Sequence, residues 1–262
     1  MNGVELVTQA FEEMNGKRKG LFMPYFPVGY PDFDTSVDII EGLAKSGADI
    51  IEVGVPFSDP LADGPSIQYA TQIALDNGIT VKKCLAGIKE VRNRGVTIPL
   101  MLMSYINPLL AYGLHKLLPD AVEVGVSGFI VPDLPADEAG EFQLLAEEHG
   151  MAFAHFLAPT SNVERIELTA KHARGFIYMV SVTGITGERN AVPEDLRGFV
   201  NRVRKVASQP LAVGFGIGTP EKARAIAEIA DGVIIGSKVV NLAKESPQAV
   251  FTFAESVAEA LQ

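Results

Sequence analysis

Residues 48–55 read ADIIEVGV, a run in which apolar residues occupy nearly every position. The run has the length of one β-strand. Strands that are buried on both faces, as in an all-parallel sheet, have this near-continuous apolar pattern, whereas half-exposed strands alternate. The exception is Glu52, a carboxylate in the middle of the run. The stretch therefore predicts a parallel strand that carries one buried charge.

Seven further apolar runs of the same kind occur along the chain. They cover residues 21–29, 98–106, 128–134, 151–158, 175–183, 210–217 and 232–240. Charged segments with helical spacing lie between them, for example 33–47 and 219–230. Eight strands that alternate with helices, at roughly 30 residues per unit, fit a (β/α)8 barrel.

The predicted fold class is therefore α/β, a (β/α)8 TIM barrel formed by a single domain over residues 1–262. The first residues predict an extra N-terminal helix. Segments 66–94 and 107–124 are each long enough for two helices, which places additional helices in the units after strands 2 and 3. A doubly wound open sheet is the alternative, but PVGYPDFD (27–34) after the first strand is not its glycine fingerprint.

Composition excludes several classes of protein. The net charge is −10, the pI is about 4.9 and no run of Lys or Arg is longer than the three residues 17–19, which argues against a nucleic-acid partner. No apolar stretch approaches the ~18 residues of a membrane span, and the N-terminus lacks the pattern of a signal peptide. The single cysteine, Cys84, excludes an internal disulfide framework and a cysteine-based metal cluster. A soluble cytoplasmic protein is expected.

Glu52 lies where a barrel of this kind carries its active site, at the C-terminal end of a strand. Alternation places Glu52 on one face with Ile50 and Gly54, so it points into the barrel if Ile51 and Val53 pack on helices. Desolvation there raises the pKa of a carboxyl group, which can then both give and take a proton near neutral pH. A buried glutamate paired with a core partner or an ordered water is the alternative.

The loop GVPFSDPLADGPSI (54–67) follows the same strand and carries two more carboxylates. Its three prolines stiffen a connection on the active-site face, which favours Asp63 as a second acid held over the barrel mouth. Asp63 also comes just before a helix start, so a capping role is the alternative. Asp59 is most simply a turn residue.

Glycine-rich loops follow strands 7 and 8, at VGFGIGTPE (213–221) and IIGSKVV (234–240). Phosphate sites in barrels of this class are built by these two loops and a short helix N-terminus. The candidate donors are Gly216, Gly218, Gly236 and Ser237. Tight turns that need glycine are the alternative, but two such loops in these positions favour a phosphate site.

The loop after strand 6, TGITGERNAVPEDL (183–196), is longer than usual connections. Gly184 and Gly187 are candidate hinges, and Thr186 offers a hydroxyl group. We expect a lid that closes over substrate, with an irregular surface loop as the alternative.

Absences restrict the reaction. The only lysine in a predicted strand is Lys238, just past the glycine–serine turn, which argues against a Schiff-base aldolase. The four histidines are scattered, and His155, the one in a predicted strand, is interpreted as a packing residue, so no metal site is expected. Acid–base chemistry by two carboxylates on a phosphorylated molecule remains.

Residues 50–68, IIEVGVPFSDPLADGPSIQ, closely resemble the signature of the tryptophan synthase alpha subunit family. The similarity continues along the chain, in PYFPVGYP (24–31), MSYINPLLAYG (103–113) and GFGIGTPE (214–221). The resemblance implies retro-aldol cleavage of indole-3-glycerol phosphate to indole and glyceraldehyde 3-phosphate in tryptophan biosynthesis. It implies no cofactor and no metal in this chain.

The resemblance also implies roles for individual residues. Glu52 matches the family's catalytic glutamate, which serves both proton transfers, and Asp63 matches the aspartate that binds the indole N–H. The indole pocket and lid are matched by Tyr25, Met103, Tyr178, Thr186, Phe215 and Ile234. The phosphate-binding positions are matched by Gly187, Gly216, Gly236 and Ser237.

A partner is implied as well: a beta subunit that carries pyridoxal phosphate and receives indole through a tunnel, in an alpha-beta-beta-alpha heterotetramer. The expected contact regions are the loop 56–63 and the segment 103–113. The alternatives are a stand-alone lyase that releases free indole, another phosphosugar barrel such as an isomerase of the same pathway, and a non-catalytic activating subunit. The presence of both Glu52 and Asp63 argues against the last of these.

Overall fold

The structure, a computed structural model, describes residues 1–14, 16–180, 194–214 and 216–262. Eight parallel strands form a closed barrel in which each strand pairs with the next and β8 pairs with β1. The strands are β1 (Leu21–Pro27), β2 (Ile51–Gly54), β3 (Leu100–Met103), β4 (Gly128–Ile130), β5 (Ala152–Leu157), β6 (Ile177–Val180), β7 (Leu211–Gly214) and β8 (Gly232–Ile235). The predicted (β/α)8 TIM barrel is confirmed.

Helices surround the barrel, in the part of the chain that the structure describes, and include those predicted beyond one per strand. They are α1 (Gly3–Met14), α2 (Phe33–Lys45), α3 (Pro65–Asp76), α4 (Val81–Asn93), α5 (Ile106–Tyr112), α6 (Leu114–Val124), α7 (Gly140–Glu148), α8 (Val163–His172), α9 (Glu194–Arg204), α10 (Pro220–Ala227), α11 (Ser237–Leu242) and α12 (Pro247–Ala260). The N-terminal helix is α1, and the units after β2 and β3 contain two helices each, as expected. None of the described helices combines the length and apolar character of a membrane span.

Two apolar layers explain why the strands are apolar at nearly every position. Outward-facing residues such as Phe22, Ile51 and Val53 pack with the surrounding helices. Inward-facing residues such as Met23 and Ile50 fill the barrel interior. The strand period of two thus separates the faces, and both faces are buried.

Helix α1 covers the floor of the barrel, at the N-terminal ends of the strands. Val7, Phe11 and Met14 are buried and join the interior cluster. The ring of Phe11 lies 6.0 Å from that of Phe176, centroid to centroid. Gly3 approaches the backbone so closely that a Cβ there would stand 1.9 Å from the carbonyl oxygen of Ser127. The floor is therefore closed, and access is left at the opposite end.

A repeated hydrogen-bond arrangement ties the strand starts together at the floor. Asp231, just before β8, donates its N–H to Leu211 O (2.8 Å) and accepts the Leu211 N–H on Oδ2 (2.8 Å). Its carbonyl oxygen accepts the N–H of Leu21, the first residue of β1 (2.8 Å). Ser127, before β4, makes the equivalent bonds to Leu100 and Ala152. One residue thus joins three consecutive strands.

The predicted runs extend past the strands at their C-terminal ends. The run 232–240 is the clearest case, because its second half starts helix α11, so Lys238 is helical rather than in a strand. The apolar residues there, Val239 and Val240, are buried by helix packing instead. That residues 1–262 form one domain stays a prediction.

Candidate active site

Glu52 lies on β2 inside the barrel, and 1% of its surface is exposed. It is in register with Tyr25 of β1 and Met101 of β3. Neither carboxylate oxygen has a hydrogen-bond partner among the residues that the structure describes. Burial raises the pKa of this carboxyl well above its ordinary value.

The alternative of a core partner for Glu52 finds no support, since no group in the described part of the chain hydrogen-bonds its oxygens, and the alternative of an ordered water stays open. An isolated ionised carboxylate is costly in an apolar interior, so the neutral acid is favoured. Such a group is ready to donate a proton and, once ionised, is a strong base because it is poorly solvated.

Asp63 lies in the loop between β2 and α3, with its side chain half-buried. Helix α3 is capped by Gly64, which offers no side-chain hydrogen bond, so the capping interpretation of Asp63 is wrong. The loop is held by Gln68, whose Nε2 donates to the Asp63 carbonyl oxygen (2.7 Å). Burial raises the pKa of the Asp63 carboxyl to about 6, and a hydrogen bond from Tyr105 opposes that rise. Asp59 is the turn residue expected, accepting the Ser58 hydroxyl (2.6 Å).

Tyr105 is the residue of this site that the sequence analysis did not single out. It lies two residues past the end of β3, at the N-cap position of α5, and is 4% exposed. Its hydroxyl accepts the N–H of Ala62 (2.8 Å), the residue before Asp63. A signal was present, because a tyrosine just past the C-terminal end of a barrel strand stands where active-site residues are expected.

Two more tyrosines, Tyr25 and Tyr178, lie across the barrel mouth over glycines on the next strand. A Cβ on Gly54 would lie 2.3 Å from Tyr25 Oη, and a Cβ on Gly214 would lie 2.6 Å from Tyr178 Oη. Burial, with the nearby carboxyls of Glu52 and Asp63, raises the pKa of both phenols, so both stay protonated. Any side chain at either glycine would displace the phenol beside it.

The apolar pocket residues predicted from the sequence flank these groups where the structure describes them. Met103 ends β3 in register with Gly54, and Ile234 lies on β8 in register with Gly214. Both belong to the cluster that fills the barrel interior or packs against it. Phe215 and Thr186 lie outside the described residues.

The predicted phosphate positions fall just past the ends of two paired strands, β7 and β8. Gly216 has a positive φ of 72° and open space where a Cβ would stand. Gly236 precedes the short helix α11, and Ser237 opens it and is exposed. Gly187 lies outside the described residues. The backbone N–H groups at these two strand ends are therefore at the mouth, on the side of Tyr25, whose Cβ is 3.5 Å from the Cβ position of Gly236.

His155 faces away from the barrel interior and is buried between β5 and α7. Its Nε2 lies 2.9 Å from Gln143 Oε1. Burial lowers its pKa to about 4, so it is neutral at pH 7. It is a packing histidine, as interpreted from the sequence. Within the described ranges, no three His, Cys, Asp or Glu side chains are grouped as metal ligands would be.

Comparison with known proteins assigns this arrangement to a family. The family model described as tryptophan synthase alpha chain matches residues 11–261. The chain belongs to the tryptophan synthase alpha chain family. A tryptophan synthase alpha chain from Dehalococcoides mccartyi is 47% identical over 257 residues, covering 97% of this chain and 98% of the relative.

Solved structures agree with the family assignment. Tryptophan synthase from Mycobacterium tuberculosis superposes with a TM-score of 0.92 at 36% identity, covering 97% of each chain. The tryptophan synthase alpha subunit from Legionella pneumophila gives 0.91 at 35%, covering 100% of this chain and 98% of that one. As a member of the family, the chain is a carbon–carbon lyase that cleaves indole-3-glycerol phosphate in tryptophan biosynthesis. The alternative of another phosphosugar barrel is set aside.

Proposed function

We propose that Glu52 and Asp63 are the catalytic residues of the alpha reaction, the cleavage of indole-3-glycerol phosphate to indole and glyceraldehyde 3-phosphate. The observation that carries the proposal is the Glu52 carboxyl, which is buried on β2 and has no hydrogen-bond partner for either oxygen within the described ranges. A buried acid without a structural partner destabilises a fold, and such a group is characteristic of a proton-transfer site.

The reaction requires two proton transfers that one carboxyl group can serve. Neutral Glu52 donates a proton to indole C3, which turns the ring into an electron sink. The ionised carboxylate then takes the proton of the side-chain hydroxyl, whose O–H electrons form the aldehyde C=O. The bond between C3 and the side chain breaks, and its electrons return to the ring. Glu52 ends the cycle protonated, so the step is balanced in protons and electrons.

Asp63 serves the opposite end of the indole. Positive charge develops on the ring nitrogen as C3 is protonated, and an ionised carboxylate beside the N–H stabilises that charge. With a pKa of about 6, the Asp63 carboxyl is mostly ionised at neutral pH. The environments of the two acids thus suit different roles: Glu52 is neutral before reaction and Asp63 is anionic.

The remaining predicted site residues bind rather than react in this proposal. Met103, Ile234 and the ring of Phe215 line the indole pocket, and Tyr25 and Tyr178 form its polar edge. The phosphate binds to the backbone N–H groups around Gly216, Gly236 and Ser237, together with Gly187 of the loop after β6. Backbone donors at strand and helix ends explain how a chain of net charge −10 binds an anion. Thr186 of the same loop orients it over the bound substrate.

We propose a beta subunit as the partner, in an alpha-beta-beta-alpha heterotetramer, with pyridoxal phosphate held by that partner and no cofactor in this chain. The names alpha chain and alpha subunit of the relatives support a further subunit. Around the barrel mouth, Leu61 in the loop 56–63 is 91% exposed and Leu110 on α5 is 53% exposed. Exposed leucines at the expected contact regions are suited to a protein interface. A cytoplasmic location is part of the same proposal.

The experiment is indole release from indole-3-glycerol phosphate by the purified chain, alone and with a tryptophan synthase beta subunit. We expect slow release alone and much faster release with the partner. Fast release that the partner leaves unchanged would make the chain a stand-alone lyase. Leu61→Asp is the interface variant: it should reduce the stimulation by the partner and leave the basal rate unchanged, since Leu61 points to solvent in the free chain.

A further inference from the structure

Tyr25 extends across the barrel mouth, from the proposed phosphate site to the strand that carries Glu52. At one end of the side chain, its Cβ lies 3.5 Å from the Cβ position of Gly236. At the other end, its hydroxyl lies so close to Gly54 that a Cβ there would stand 2.3 Å from Oη. The side chain therefore borders the space between the end of β8 and the end of β2.

Three neighbouring strands place the phosphate site, the phenol and Glu52 side by side. Strand β1 lies between β8 and β2 in the barrel, and Tyr25 is in register with Glu52. On its other side, β1 pairs with β8 up to Ile235, the residue before Gly236. A molecule that holds its phosphate at the end of β8 and presents its reacting carbon to Glu52 must therefore cross the end of β1, where Tyr25 lies.

The Tyr25 hydroxyl is buried without a hydrogen-bond partner. Tyr25 is 5% exposed, and among the described residues its hydroxyl neither donates nor accepts a hydrogen bond. An unsatisfied buried hydroxyl destabilises a fold, whereas a phenylalanine would fill the same space without that cost. The carboxyl of Glu52 on the next strand has no partner there either, so the two groups do not bond each other. Both are available to a bound molecule.

The substrate carries a polar group at the matching place. Three carbons join its indole to its phosphate. The first is bonded to indole C3 and carries the hydroxyl whose proton Glu52 takes in the proposed reaction. The middle carbon carries a second hydroxyl, which the cleavage leaves unchanged, and the third carries the phosphate. The second hydroxyl thus lies between the groups held by Glu52 and by the end of β8, and an alcohol can both donate to a phenol and accept from it.

We propose that Tyr25 is a specificity-determining residue of the alpha reaction: its hydroxyl binds the second hydroxyl of the glycerol chain, the one that the reaction leaves unchanged. This inference rests on the proposed function and names the substrate atom that Tyr25 contacts. Burial, with the nearby carboxyls of Asp63 and Glu52, raises the pKa of the phenol, so it keeps its proton and can donate as well as accept. The bond favours substrates that carry this hydroxyl over those that lack it.

The test is the reverse reaction, the condensation of indole with an aldehyde phosphate by the purified chain. Two aldehydes are compared: glyceraldehyde 3-phosphate and 3-oxopropyl phosphate, which lacks only the hydroxyl in question. The wild type should have the higher kcat/KM for glyceraldehyde 3-phosphate. In Tyr25→Phe that preference should fall about three- to tenfold, the range for a hydrogen bond between neutral groups. The kcat/KM for 3-oxopropyl phosphate should stay equal or rise.

Tyr69→Phe is the matched control, because it removes a phenol on α3 that is 53% exposed and should leave the preference unchanged. The thermal midpoint of Tyr25→Phe should equal that of the wild type or rise, since the lost hydroxyl has no partner in the described part of the chain. A lowered midpoint would overturn the inference, because the hydroxyl would then be held by the protein.

Three kinetic results would overturn it as well: an unchanged preference in Tyr25→Phe, an equal loss with both aldehydes, or a preference that is lost in Tyr178→Phe instead. The proposed function fails separately. Its sign would be a wild-type chain that forms no indole-3-glycerol phosphate from indole and glyceraldehyde 3-phosphate and releases no indole in the forward direction.

Discussion

Glu52 combines a functional requirement with a structural penalty at one residue. Burial raises the pKa of its carboxyl, and its oxygens have no hydrogen-bond partner in the described part of the chain. Above its ordinary pKa of 4.5 the unfolded chain releases this proton, while the folded chain retains it. The folded state therefore binds more protons, and the contribution of Glu52 to stability becomes less favourable as pH rises. Active-site residues of this kind trade stability for activity.

Glu52→Gln tests both sides of that trade. Indole release should fall by about 10² to 10⁴, the usual contribution of a general acid–base group. The unfolding midpoint in urea should stay equal or rise, and the gain over wild type should be larger at pH 8 than at pH 5. Parallel activity and unfolding measurements at the two pH values check this. Wild-type turnover in the variant would contradict the acid–base role, and a gain that is the same at both pH values would contradict the burial argument.

The residues of the site differ in how visible they are from the sequence. Glu52 is visible because a charge interrupts an apolar strand at a known period. Tyr105 is less visible: it stands just past a strand end, but its partner Ala62 lies 43 positions away and meets it only when β2 and β3 pair. Asp63 is partly visible from the sequence, because its loop is conspicuous. Only the structure distinguishes the capping position, which Gly64 takes, from a position at the mouth.

At the scale of elements, glycines at strand ends make room for side chains from neighbouring strands. Tyr25 reaches from β1 over Gly54 of β2, and Tyr178 reaches from β6 over Gly214 of β7. In each pair the large side chain fills the space that the glycine leaves. The apolar pattern of one strand does not predict such a pair, because the tyrosine and the glycine that it covers lie on different strands.

A buried hydrogen bond joins strand β5 to helix α7. It predicts that the folded protein loses stability in mild acid. His155 faces Gln143, whose Nε2 donates to Glu147 Oε1 (3.0 Å) and to the His172 carbonyl oxygen (2.7 Å). Gln143 Oε1 must then accept from His155 Nε2–H, which leaves Nδ1 as a buried acceptor. Protonation of that nitrogen is opposed by burial and by the nearby charges of His172 and Arg174, which lower the pKa to about 4.

The expected outcome is a loss of stability in mild acid. The unfolded chain takes up the His155 proton near pH 6.5 and the folded chain only near pH 4, so the unfolded state binds more protons in that window. Between pH 6.5 and 5 the loss from His155 should be about 2 kcal/mol, at about 1.4 kcal/mol per pH unit. Urea unfolding of wild type and His155→Gln at both pH values should show a flatter dependence in the variant. His115→Gln, with a side chain 80% exposed, is the control and should behave as wild type.

For the whole molecule, the eight apolar runs were sufficient to predict the barrel, because a closed parallel sheet requires every strand to be buried on both faces. The ends of the strands were not predictable to the same degree. Apolar residues continue past the carboxyl ends: the run 98–106 includes Ile106, which opens α5, and the run 232–240 includes Val240 of α11. Pattern alone does not separate a strand from the apolar loop or helix that follows it.

In the molecule as a whole, the residues that tie the strands together lie at the barrel floor, whereas the candidate catalytic residues lie at the mouth. Asp231 joins β7, β8 and β1, which closes the sheet, and Arg204 donates to its Oδ1 (2.9 Å). Ser127 makes the same connection on the opposite side, between β3, β4 and β5. Asp49 joins β1 and β2 by accepting the Phe22 N–H (2.8 Å), with Arg18 as its ion-pair partner. All three residues lie at the end of the barrel away from Glu52 and Asp63.

Asp231→Ala should therefore lower stability and leave catalysis intact. The substitution removes the acceptor of the Leu211 N–H and the partner of Arg204, both at the closure of the barrel, at a cost of about 2 kcal/mol for charge-assisted bonds. Asp38→Ala is the matched control: it breaks an aspartate–arginine pair with Arg94, but its side chain is 59% exposed and such surface pairs contribute about 0 to 1 kcal/mol. Urea unfolding measures the difference, and kcat for indole release at 25 °C should equal that of wild type in both variants. A fall in kcat without loss of stability in Asp231→Ala would mean that the floor and the mouth are coupled, contrary to the separation argued from their positions.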